Sequence, residues 1–377
     1  MKILFVAGCS PATIFALAPL ATTARNAGHE TFMASNDSMV STIAGTGIPP
    51  ISVTSSTMLE FFTRDRQGNE LHWPSDPLEH MLFLGKGFGR LAAASMDALL
   101  ALAKDWRPDV VVGGTLSFGA ALLARRLGVP YVRHTWDSGE PPEADLGAAE
   151  VLLPELTELG LNGLPDPDML IELCPPSVRP ADAPPAQLMR YVPSPAQRQL
   201  EPWMYTRSER TRVCVTAGAR VSREQYYEYL RELAVKVSQL DVEVVVAVAE
   251  EIGQALRAEL DGVWAGWLPL DVVARTCDLM VHHAGGGTSL TGMSAGVPQL
   301  LQPNMPSSFG ASQRLAEYGA ALMLLPGEDN TDRIVSSCEE LLSNPSYAAR
   351  AKELAAEIKA LPSVVEVLAA VEKLAAG

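Results

Sequence analysis

Short apolar runs alternate with amphipathic stretches along the first third of the chain. Runs of strand length and composition occupy residues 2–7, 30–34, 109–112 and 131–134. Apolar positions recur at helical spacing over residues 14–26, 80–104 and 118–127. Residues 45–79 follow neither pattern and are predicted to be irregular. Short strand–helix units in this order predict an α/β fold with a parallel sheet and crossover helices.

The alternating pattern stops and then restarts in the second half. Residues 175–202 contain eight prolines, which neither a helix nor a central strand tolerates. Beyond them the pattern predicts a helix at 223–238 and strands at 212–216, 243–248, 263–266, 279–282 and 299–301. The proline-rich stretch is therefore predicted to link an N-terminal domain, residues 1–200, to a C-terminal domain, residues 201–359.

A similar sequence pattern occurs once in each half of the chain. Each contains an apolar strand that begins with Asp, a glycine, a helix and a Gly-Val-Pro turn into the next strand. The spacing from Asp109 to Gly128 is 19 residues, and that from Asp278 to Gly296 is 18. We therefore predict two Rossmann-like domains that face each other across a cleft. Ligands of such sheets bind beyond the carboxyl ends of the strands.

Charge and cysteine content indicate which partners and which cellular setting suit the chain. The chain of 377 residues has 29 Lys and Arg against 44 Asp and Glu, a formal net charge of −15 that disfavours nucleic acid and anionic membranes. Residues 3–24 carry no charge, but Gly8, Pro11 and Pro19 interrupt them, which favours strand, loop and helix over a signal peptide. No segment suits a membrane span. Five scattered cysteines without a CxxC pair favour buried thiols in a reducing, cytoplasmic setting.

The most informative stretch follows one predicted strand and opens a helix. It runs His282-His283-Ala-Gly285-Gly286-Gly287-Thr288-Ser-Leu. Glycines allow close backbone approach, and a helix N-terminus offers free N–H groups to a diphosphate. The side chains of His283 and Thr288 add hydrogen-bond donors. One alternative is a glycine-rich turn capped by Thr288. Another is a zinc site, although adjacent histidines point in different directions and no third ligand has a usual spacing.

Two further positions in the C-terminal half suit a nucleotide. After the strand at 212–216, Gly218 permits close approach and Arg220 can bind phosphate through two N–H groups, with a surface ion pair as its alternative. Trp267 can stack on a base, with core packing as its alternative. No P-loop pattern occurs, no predicted strand-to-helix turn carries a GxSxG nucleophile elbow, and the first βα loop lacks the nicotinamide fingerprint.

At these residues the chain resembles the GT-B antibiotic glycosyltransferases of glycosyltransferase family 1. The matched stretches are Trp267-Leu-Pro-Leu-Asp-Val-Val273, Cys277-Asp-Leu-Met-Val-His-His-Ala-Gly-Gly-Gly-Thr288 and Ala295-Gly-Val-Pro-Gln-Leu-Leu301. Residues 8–21 and 201–207 are similar to a narrower group, the C-glycosyltransferases of aromatic polyketides of the angucycline and tetracycline types. The order of elements along the whole chain also agrees with GT-B.

The resemblance implies an inverting, metal-independent transfer of a deoxysugar, with D-olivose as the expected sugar, from a dTDP-sugar to a carbon of a phenolic aromatic polyketide. No cofactor is implied, because the dTDP-sugar is a co-substrate. The last helix, residues 360–377, would pack back on the N-terminal domain. The donor would contact Gly218, Arg220, Trp267, Leu268, His283, Gly285, Gly286, Gly287, Thr288, Ser307 and Ser308.

Two departures from the family pattern bear on the chemistry. Many members carry a catalytic histidine just before the first helix, whereas this chain has Thr13-Ile-Phe-Ala16. Many also carry Asp-Gln where this chain has Ser307-Ser308. Two short serines suit a sugar with fewer hydroxyls, because a buried Asp without a hydroxyl partner is costly.

Without that histidine, another group must accept the proton. Asp137 follows the strand at 131–134, and the resemblance supports it as the base, with Ser10 assisting. A loop cap is the alternative role for Asp137, and His134 is the second candidate base. Aromatic and apolar side chains are expected to hold a flat acceptor, with core packing as the alternative for about half of them: Phe61, Phe62, Trp73, Met81, Phe83 and Trp136.

Three other functions stay open at this point. An O-glycosyltransferase and a nucleotide-sugar epimerase would share the two-domain fold. A non-catalytic helper of a partner glycosyltransferase would share it without activity. A homodimer is compatible with the sequence and is not specified by it.

Overall fold

Each half of the chain builds a parallel sheet around an apolar core of its own. The computed structural model describes residues 1–137, 142–218, 222 and 226–377. It divides into two units. Unit 1 comprises Met1–Leu173, Asp182–Met189 and Pro362–Gly377, and unit 2 comprises Cys174–Ala181 and Arg190–Leu361. The proline-rich stretch therefore contributes to both units, whereas the sequence predicted one boundary at residue 200.

Unit 1 contains a sheet whose paired strands all run parallel. Its strands are β1 (Lys2–Val6), β2 (Glu30–Asn36), β3 (Pro50–Thr54), β4 (Val110–Gly114), β5 (Tyr131–His134), β6 (Met169–Glu172) and β7 (Gln187–Leu188). The spatial order is β3-β2-β1-β4-β5-β6-β7. Successive strands run outward from β1 in one direction and then, from β4 onward, in the other. This reversal beside the first strand is the Rossmann arrangement.

The helices of unit 1 connect these strands. They are α1 (Pro11–Asn26), α2 (Val40–Gly45), α3 (Met58–Thr63), α4 (Pro77–Asp105), α5 (Phe118–Leu127), α6 (Glu143–Val151), α7 (Leu153–Glu158) and the C-terminal α16 (Val364–Ala375). Helix α16 contacts α1, and the His29 and Glu372 side chains lie 2.6 Å apart, Nε2 to Oε1. A 3-10 turn spans Asp37–Met39.

Unit 2 repeats the Rossmann arrangement. Its strands are β8 (Arg212–Thr216), β9 (Glu243–Ala247), β10 (Trp264–Gly266), β11 (Leu279–His282), β12 (Gln299–Leu301) and β13 (Ala321–Met323), in the spatial order β10-β9-β8-β11-β12-β13. Its helices are α8 (Pro202–Tyr205), α9 (Tyr227–Val237), α10 (Glu250–Glu259), α11 (Leu270–Val273), α12 (Gly286–Ala295), α13 (Pro306–Tyr318), α14 (Thr331–Ser343) and α15 (Pro345–Ala360). Further 3-10 turns span Pro176–Val178 and Ala274–Thr276.

The prediction that residues 45–79 are irregular was wrong in part. They contain β3, which extends the sheet beyond β2, and α3, which buries Phe61 and Phe62. Helix α3 begins with a full capping box between Thr57 and Glu60. Strand β3 escapes detection because it is a short edge strand with one buried residue, Val53. The prediction of two Rossmann-like parallel sheets was confirmed.

The stretch at 201–207 anchors the start of β8. Arg212 is 2% exposed, and its guanidinium donates to the Trp203 carbonyl at 2.9 Å and to Thr276 Oγ1 at 2.6 Å. Glu243 on the neighbouring strand β9 accepts from Arg212 Nε at 2.8 Å. These contacts lie at the amino ends of the strands, the edge opposite to the carboxyl ends where ligands bind.

Helices α4 and α6 pack closely because glycines line their contact. A methyl group added at Gly85 of α4 would fall 1.8 Å from the Ala144 carbonyl oxygen, and one added at Gly147 of α6 would fall 2.0 Å from that of Leu82. Backbone therefore lies directly against backbone. This contact supports the apolar cluster that includes Phe83, Phe88, Ala144 and Ala148. All five cysteines are buried, and none of them forms a disulfide. Among the described residues, no helix is both long and apolar enough to span a membrane.

Replacing Gly85 by Ala is expected to destabilise unit 1 by at least ~2 kcal/mol, because the methyl collides with rigid backbone. Gly45→Ala is the matched control, since a methyl there meets nothing within 4 Å and Gly45 lies in helix α2. The control should leave stability unchanged or raise it by ~0.5–1 kcal/mol. Urea unfolding followed by circular dichroism measures both. Equal stability of the two variants would contradict this packing.

Candidate functional site

The strand order of unit 2 reverses between β8 and β11, which are neighbours in the sheet. The loops that follow these two strands, containing Gly218 and His283-Ala284-Gly285, therefore emerge side by side at the carboxyl edge. Such reversal points leave a crevice that binds ligands in open α/β sheets. The two stretches that the sequence selected for phosphate binding are brought together here.

The imidazole of His283 lies against both glycines. A methyl group added at Gly218 would fall 2.6 Å from His283 Cε1, and one added at Gly285 would fall 2.4 Å from Nε2. Gly218 also has φ of +84°, and its N–H donates to Thr216 Oγ1 at 3.1 Å. Glycine is therefore required at both positions for the half-buried ring to keep its place.

His282 holds this loop from beneath. It is fully buried, and its Nδ1 accepts a hydrogen bond from the Ala284 N–H at 3.1 Å. Its Nε2–H therefore donates to Gln299 Oε1 at 2.8 Å. Ala284 has φ of 59°, which is unusual for a residue with a side chain. The hydrogen bond to His282 thus supports a left-handed turn just before α12.

Burial fixes the charge state of His282. Desolvation, with the neighbouring His283 as a smaller cause, lowers its pKa to about 3, so the imidazole stays neutral near pH 7. Both ring nitrogens are occupied by hydrogen bonds within the protein. They are therefore not available to zinc, and the zinc alternative fails on His282. The supporting role of this histidine was not predicted from its position in the motif.

The N-terminus of α12 presents free donors. Gly285 occupies the N-cap position and no side chain caps the helix. The first intrahelical hydrogen bond runs from the Ser289 N–H to the Gly285 carbonyl at 2.9 Å. The N–H groups of Gly286, Gly287 and Thr288 precede it, and such groups carry the positive end of the helix dipole. This geometry can bind a phosphate or diphosphate.

Tyr191 braces the same helix turn. Its hydroxyl donates to the Gly287 carbonyl at 3.0 Å and lies 3.1 Å from Thr291 Oγ1. Thr291 in turn donates to the Gly287 carbonyl at 2.7 Å. Tyr191 lies within the predicted linker, residues 175–202, and its role was not predicted because only the tertiary fold brings it to α12.

Trp267 lies at the carboxyl end of β10, two strands from β8. Its indole Nε1–H donates to the Ala196 carbonyl at 2.8 Å, and its carbonyl accepts from Arg198 at 3.1 Å. These bonds fix the half-buried ring at the edge of the sheet. The side chain of Leu268 is 6% exposed and belongs to an apolar core cluster, so only its backbone is suited to a ligand.

The two serines begin helix α13, after β12. Ser308 Oγ donates to the Met305 carbonyl at 2.8 Å, a hydrogen bond within the first turn of the helix. The Ser307 hydroxyl has no hydrogen-bond partner among the residues that the structure describes. β12 is the neighbour of β11, so this turn lies on the same edge as the His283 loop. Arg220 lies outside the described residues.

In unit 1 the strand order reverses between β1 and β4. Trp136, in the loop after β5, covers this point. Methyl groups added at Gly8 and Gly114 would fall 3.2 Å and 2.8 Å from its ring, at Cζ3 and Cε3 respectively. The loops after β1, β4 and β5 therefore meet beneath one indole. Ser10 and Asp137 flank this contact in sequence, and both are half-buried.

Buried polar groups hold the loop after β5. Thr135 Oγ1 donates to Glu172 Oε1 at 3.0 Å and accepts from the Leu173 N–H at 3.0 Å. His134 is fully buried, its Nδ1–H donates to the Thr135 carbonyl at 2.5 Å, and burial lowers its pKa to about 4. His134 is therefore an interior residue and not an accessible base.

The position just before α1 carries no imidazole. Thr13 is 7% exposed, and its hydroxyl donates to the Ser10 carbonyl at 2.8 Å. Ser10 is the N-cap of α1 but does not cap it through its side chain. Its hydroxyl has no hydrogen-bond partner within the described ranges. Ser10 and Asp137 thus supply a hydroxyl and a carboxylate at one edge.

Most of the predicted acceptor residues come together. Phe61, Phe62 and Phe83 share one apolar cluster, and Trp136 packs against it. Trp73 is 44% exposed and stacks on Phe62, with ring centroids 5.0 Å apart and planes at 14°. Met81 is buried but does not belong to this cluster. Its prediction as an acceptor contact gains no support from its position.

Comparison with known proteins identifies the family. The N-terminal and C-terminal domain profiles described as erythromycin biosynthesis protein CIII-like match residues 22–218 and 231–374. The L-demethylnoviosyl transferase of Streptomyces niveus is 31% identical over 367 residues, which are 96% of this chain and 95% of that protein. The chain belongs to the CIII-like family of antibiotic glycosyltransferases.

Two further relatives of this glycosyltransferase extend the match. The aclacinomycin-T 2-deoxy-L-fucose transferase of Streptomyces galilaeus is 28% identical over 432 aligned positions, covering 100% of this chain and 96% of that protein. The crystal structure of glycosyltransferase SsfS6 from Streptomyces sp. SF2575, complexed with thymidine diphosphate, has a TM-score of 0.88. It is 33% identical and covers 99% of both chains. The glycosyltransferase therefore has the GT-B fold.

The buried histidines of the glycosyltransferase predict how its stability depends on pH. The unfolded chain takes up protons near the ordinary histidine pKa of ~6.5, whereas folded His282 and His134 do so only near 3 and 4. The free energy of unfolding should therefore fall as pH decreases from about 6.5 to about 4. Each histidine contributes a slope of up to ~1.4 kcal/mol per pH unit. Urea unfolding at a series of pH values should show a flatter slope for His282→Gln.

His134→Gln serves as the comparison variant for that measurement, because it removes the second histidine and leaves the phosphate-binding candidate intact. It should flatten the slope by a similar amount. Slopes identical to that of the unsubstituted protein in both variants would contradict the neutral, buried state of these groups.

Proposed function

We propose that this glycosyltransferase transfers a deoxysugar from a dTDP-sugar to a ring carbon of a phenolic aromatic polyketide, with inversion at the anomeric carbon and without a cofactor. Unit 2 binds the donor and unit 1 binds the acceptor. The single observation that carries the carbon-transfer part lies in the loops after β1 and β5: their described residues offer the Asp137 carboxylate and no accessible imidazole, since Thr13 stands where many family members have histidine and His134 is buried.

The donor assignment rests on the loops after β8 and β11. The free N–H groups of Gly286, Gly287 and Thr288, together with the ring of His283, suit a diphosphate. Trp267 suits the base, since its ring is fixed at the same edge of the sheet. The complex of SsfS6 with thymidine diphosphate supports the choice of nucleotide. Arg220 is proposed as a further phosphate ligand on its sequence position alone.

A sugar poor in hydroxyls fits the turn that begins α13. The Ser308 hydroxyl donates to the Met305 carbonyl. Of the two serines, only Ser307 has a hydroxyl without a hydrogen-bond partner among the described residues. This turn can satisfy fewer hydroxyls than a carboxylate and amide pair. The name of the Streptomyces galilaeus relative, a 2-deoxy-L-fucose transferase, also supports a deoxysugar. We propose D-olivose, a 2,6-dideoxyhexose.

The acceptor assignment rests on the aromatic cluster of unit 1. Trp73 stacks on Phe62 and lies 4.8 Å from Phe83, centroid to centroid. Half-exposed aromatic surface of this kind suits a flat polycyclic ligand. The Trp136 ring connects this cluster to the loop that carries Asp137, since it lies 6.0 Å from Phe88.

The base must match the acidity of the nucleophile. A carboxylate, with an ordinary pKa near 4, is a poor base for an alcohol but can deprotonate an acidic phenol whose pKa is reduced below ~10 by neighbouring carbonyls. Deprotonation enriches the ring carbon ortho to the oxygen. That carbon, rather than an alcohol oxygen, is then the better nucleophile. The missing imidazole at Thr13 and the carboxylate of Asp137 therefore favour carbon transfer.

The proposed reaction begins with deprotonation of the phenol. The phenol proton passes to Asp137, and the ortho carbon attacks the anomeric carbon from the face opposite the diphosphate. The bond between the anomeric carbon and the diphosphate oxygen breaks, and thymidine diphosphate leaves with the electron pair. The N-terminus of α12 and His283 stabilise its charge. The proton of the attacked ring carbon then passes to water, which restores the aromatic ring as a phenolate, and this phenolate takes back the proton from Asp137.

The direct test incubates purified protein with dTDP-D-olivose and 1,8-dihydroxyanthraquinone, then treats the product with hot acid. We expect an adduct of acceptor plus sugar that survives acid, because a carbon–carbon bond does not hydrolyse. Asp137→Ala should lower the rate by ~100-fold or more, the usual contribution of a general base. Asp97→Ala is the control, since Asp97 is an exposed carboxylate on α4. Mass spectrometry measures the adduct formed by the unsubstituted protein and by each of the two variants.

An adduct that acid returns to free acceptor would mean oxygen transfer and would contradict the proposed chemistry. Equal rates for Asp137→Ala and Asp97→Ala would remove Asp137 as the base. Absence of any adduct, with no binding of thymidine diphosphate by calorimetry, would favour a non-catalytic helper.

A further inference from the structure

Arg90 is a buried cation that the proposed mechanism does not use. It lies on α4 and is 7% exposed. Its Nε–H donates to the Phe61 carbonyl at 2.7 Å. Its Nη2 is buried and has no hydrogen-bond partner within the ranges that the structure describes. No carboxylate within those ranges lies at ion-pair distance from it.

Such an arrangement is costly for a folded chain. A guanidinium carries five N–H donors, and a buried donor left unpaired costs ~1–3 kcal/mol, more for a charged group. Burial lowers the pKa of Arg90, and among the described residues the one charge that opposes this effect is Asp65, on an exposed loop. A buried arginine is normally paired with a carboxylate or a full set of carbonyls. The free donors of Arg90 therefore call for an acceptor atom from outside the chain.

The surroundings of Arg90 indicate what kind of molecule would supply that atom. The guanidinium carbon lies 5.8 Å from the centroid of the Phe83 ring. Phe83 contacts Trp73, and Trp73 contacts His80 with centroids 4.9 Å apart. His80 Nε2 is likewise buried without a partner among the described residues. An aromatic surface thus has an unsatisfied nitrogen at each end.

We propose that Arg90 binds an oxygen of the aromatic acceptor and thereby selects acceptors that carry a phenol or phenolate at that position. This inference deepens the proposed function and rests on its acceptor class. A flat ring takes over the stacking that Trp73 makes on Phe62 and Phe83, and Trp73 can yield because it is 44% exposed. Because Phe83 contacts both the indole and the guanidinium, a ring that replaces the indole would lie near Arg90. A planar fork of N–H donors matches a phenolate oxygen well.

The experiment measures binding, so it does not depend on turnover. 1,8-Dihydroxyanthraquinone is titrated into the whole protein and followed by quenching of tryptophan fluorescence. Thymidine diphosphate is titrated separately by calorimetry. The variants are Arg90→Met, which keeps an apolar stem of similar length, and Arg90→Lys, which keeps the charge without the planar fork. Lys86→Met is the matched control, because it removes a half-exposed cation from the same helix.

We expect Arg90→Met to weaken binding of the phenol by ~10- to 100-fold, the equivalent of one hydrogen bond to a charged group. Arg90→Lys should recover part of that loss. Thymidine diphosphate should bind all variants within about twofold, and Lys86→Met should bind both ligands normally. A purely structural role for Arg90 would not separate the two ligands in this way.

Unchanged phenol binding in Arg90→Met would overturn the proposal and would leave a buried water as the partner of Nη2. Absence of phenol binding in the unsubstituted protein would also overturn it. Failure of the proposed function has a different signature, namely no sugar transfer although the phenol binds and Arg90→Met weakens it. If Arg90→Met does not fold, equal phenol affinity of Arg90→Lys and the unsubstituted protein overturns the proposal.

Discussion

Both candidate sites depend on the reversal of strand order beside the first strand of each sheet. It leaves β1 next to β4 and β8 next to β11, so the loops that follow these strands emerge together. Close approach at these points requires small residues. Gly8 and Gly114 accommodate the Trp136 ring in unit 1, and Gly218 accommodates the His283 ring in unit 2. In each unit, a ring from one loop thus packs on the glycines of another.

The half-buried groups at the carboxyl edge of each unit depend on buried hydrogen bonds beneath them. His282 stays uncharged and holds the left-handed Ala284, which sets the direction in which α12 begins. Thr135 and Glu172 do the same for the loop that carries Asp137. These supports are buried, so they hold the loops in place without covering the residues at the edge of the sheet. Arg90 differs from them, since its donors are largely unpaired.

Sequence patterns predicted the sheets and the succession of strand, glycine run and helix at residues 279–295 well, because both depend on local order along the chain. Strands 212–216, 279–282 and 299–301 have the predicted bounds, and the glycine run does begin a helix. The patterns missed β3 and could not select Tyr191 or Arg90, whose surroundings arise from residues far away in the sequence. Met81 was predicted to contact the acceptor because of its residue type. The structure buries it outside the aromatic cluster, and which side of α4 it lies on could not be read from residue type. The substrate residues stay predictions, since their roles depend on ligands.

We propose that the reversal point of unit 2, shaped by His283 against Gly218, binds the diphosphate of the donor. Calorimetry of thymidine diphosphate with Gly218→Ala and Gly262→Ala tests it most directly. Both glycines have positive φ, +84° and +72°, so both variants carry similar backbone strain, but only at Gly218 does the methyl collide with His283. The account predicts a loss of affinity of ~10-fold or more for Gly218→Ala, one displaced charge-assisted contact, and less than about twofold for Gly262→Ala. Equal affinities in the two variants would contradict it.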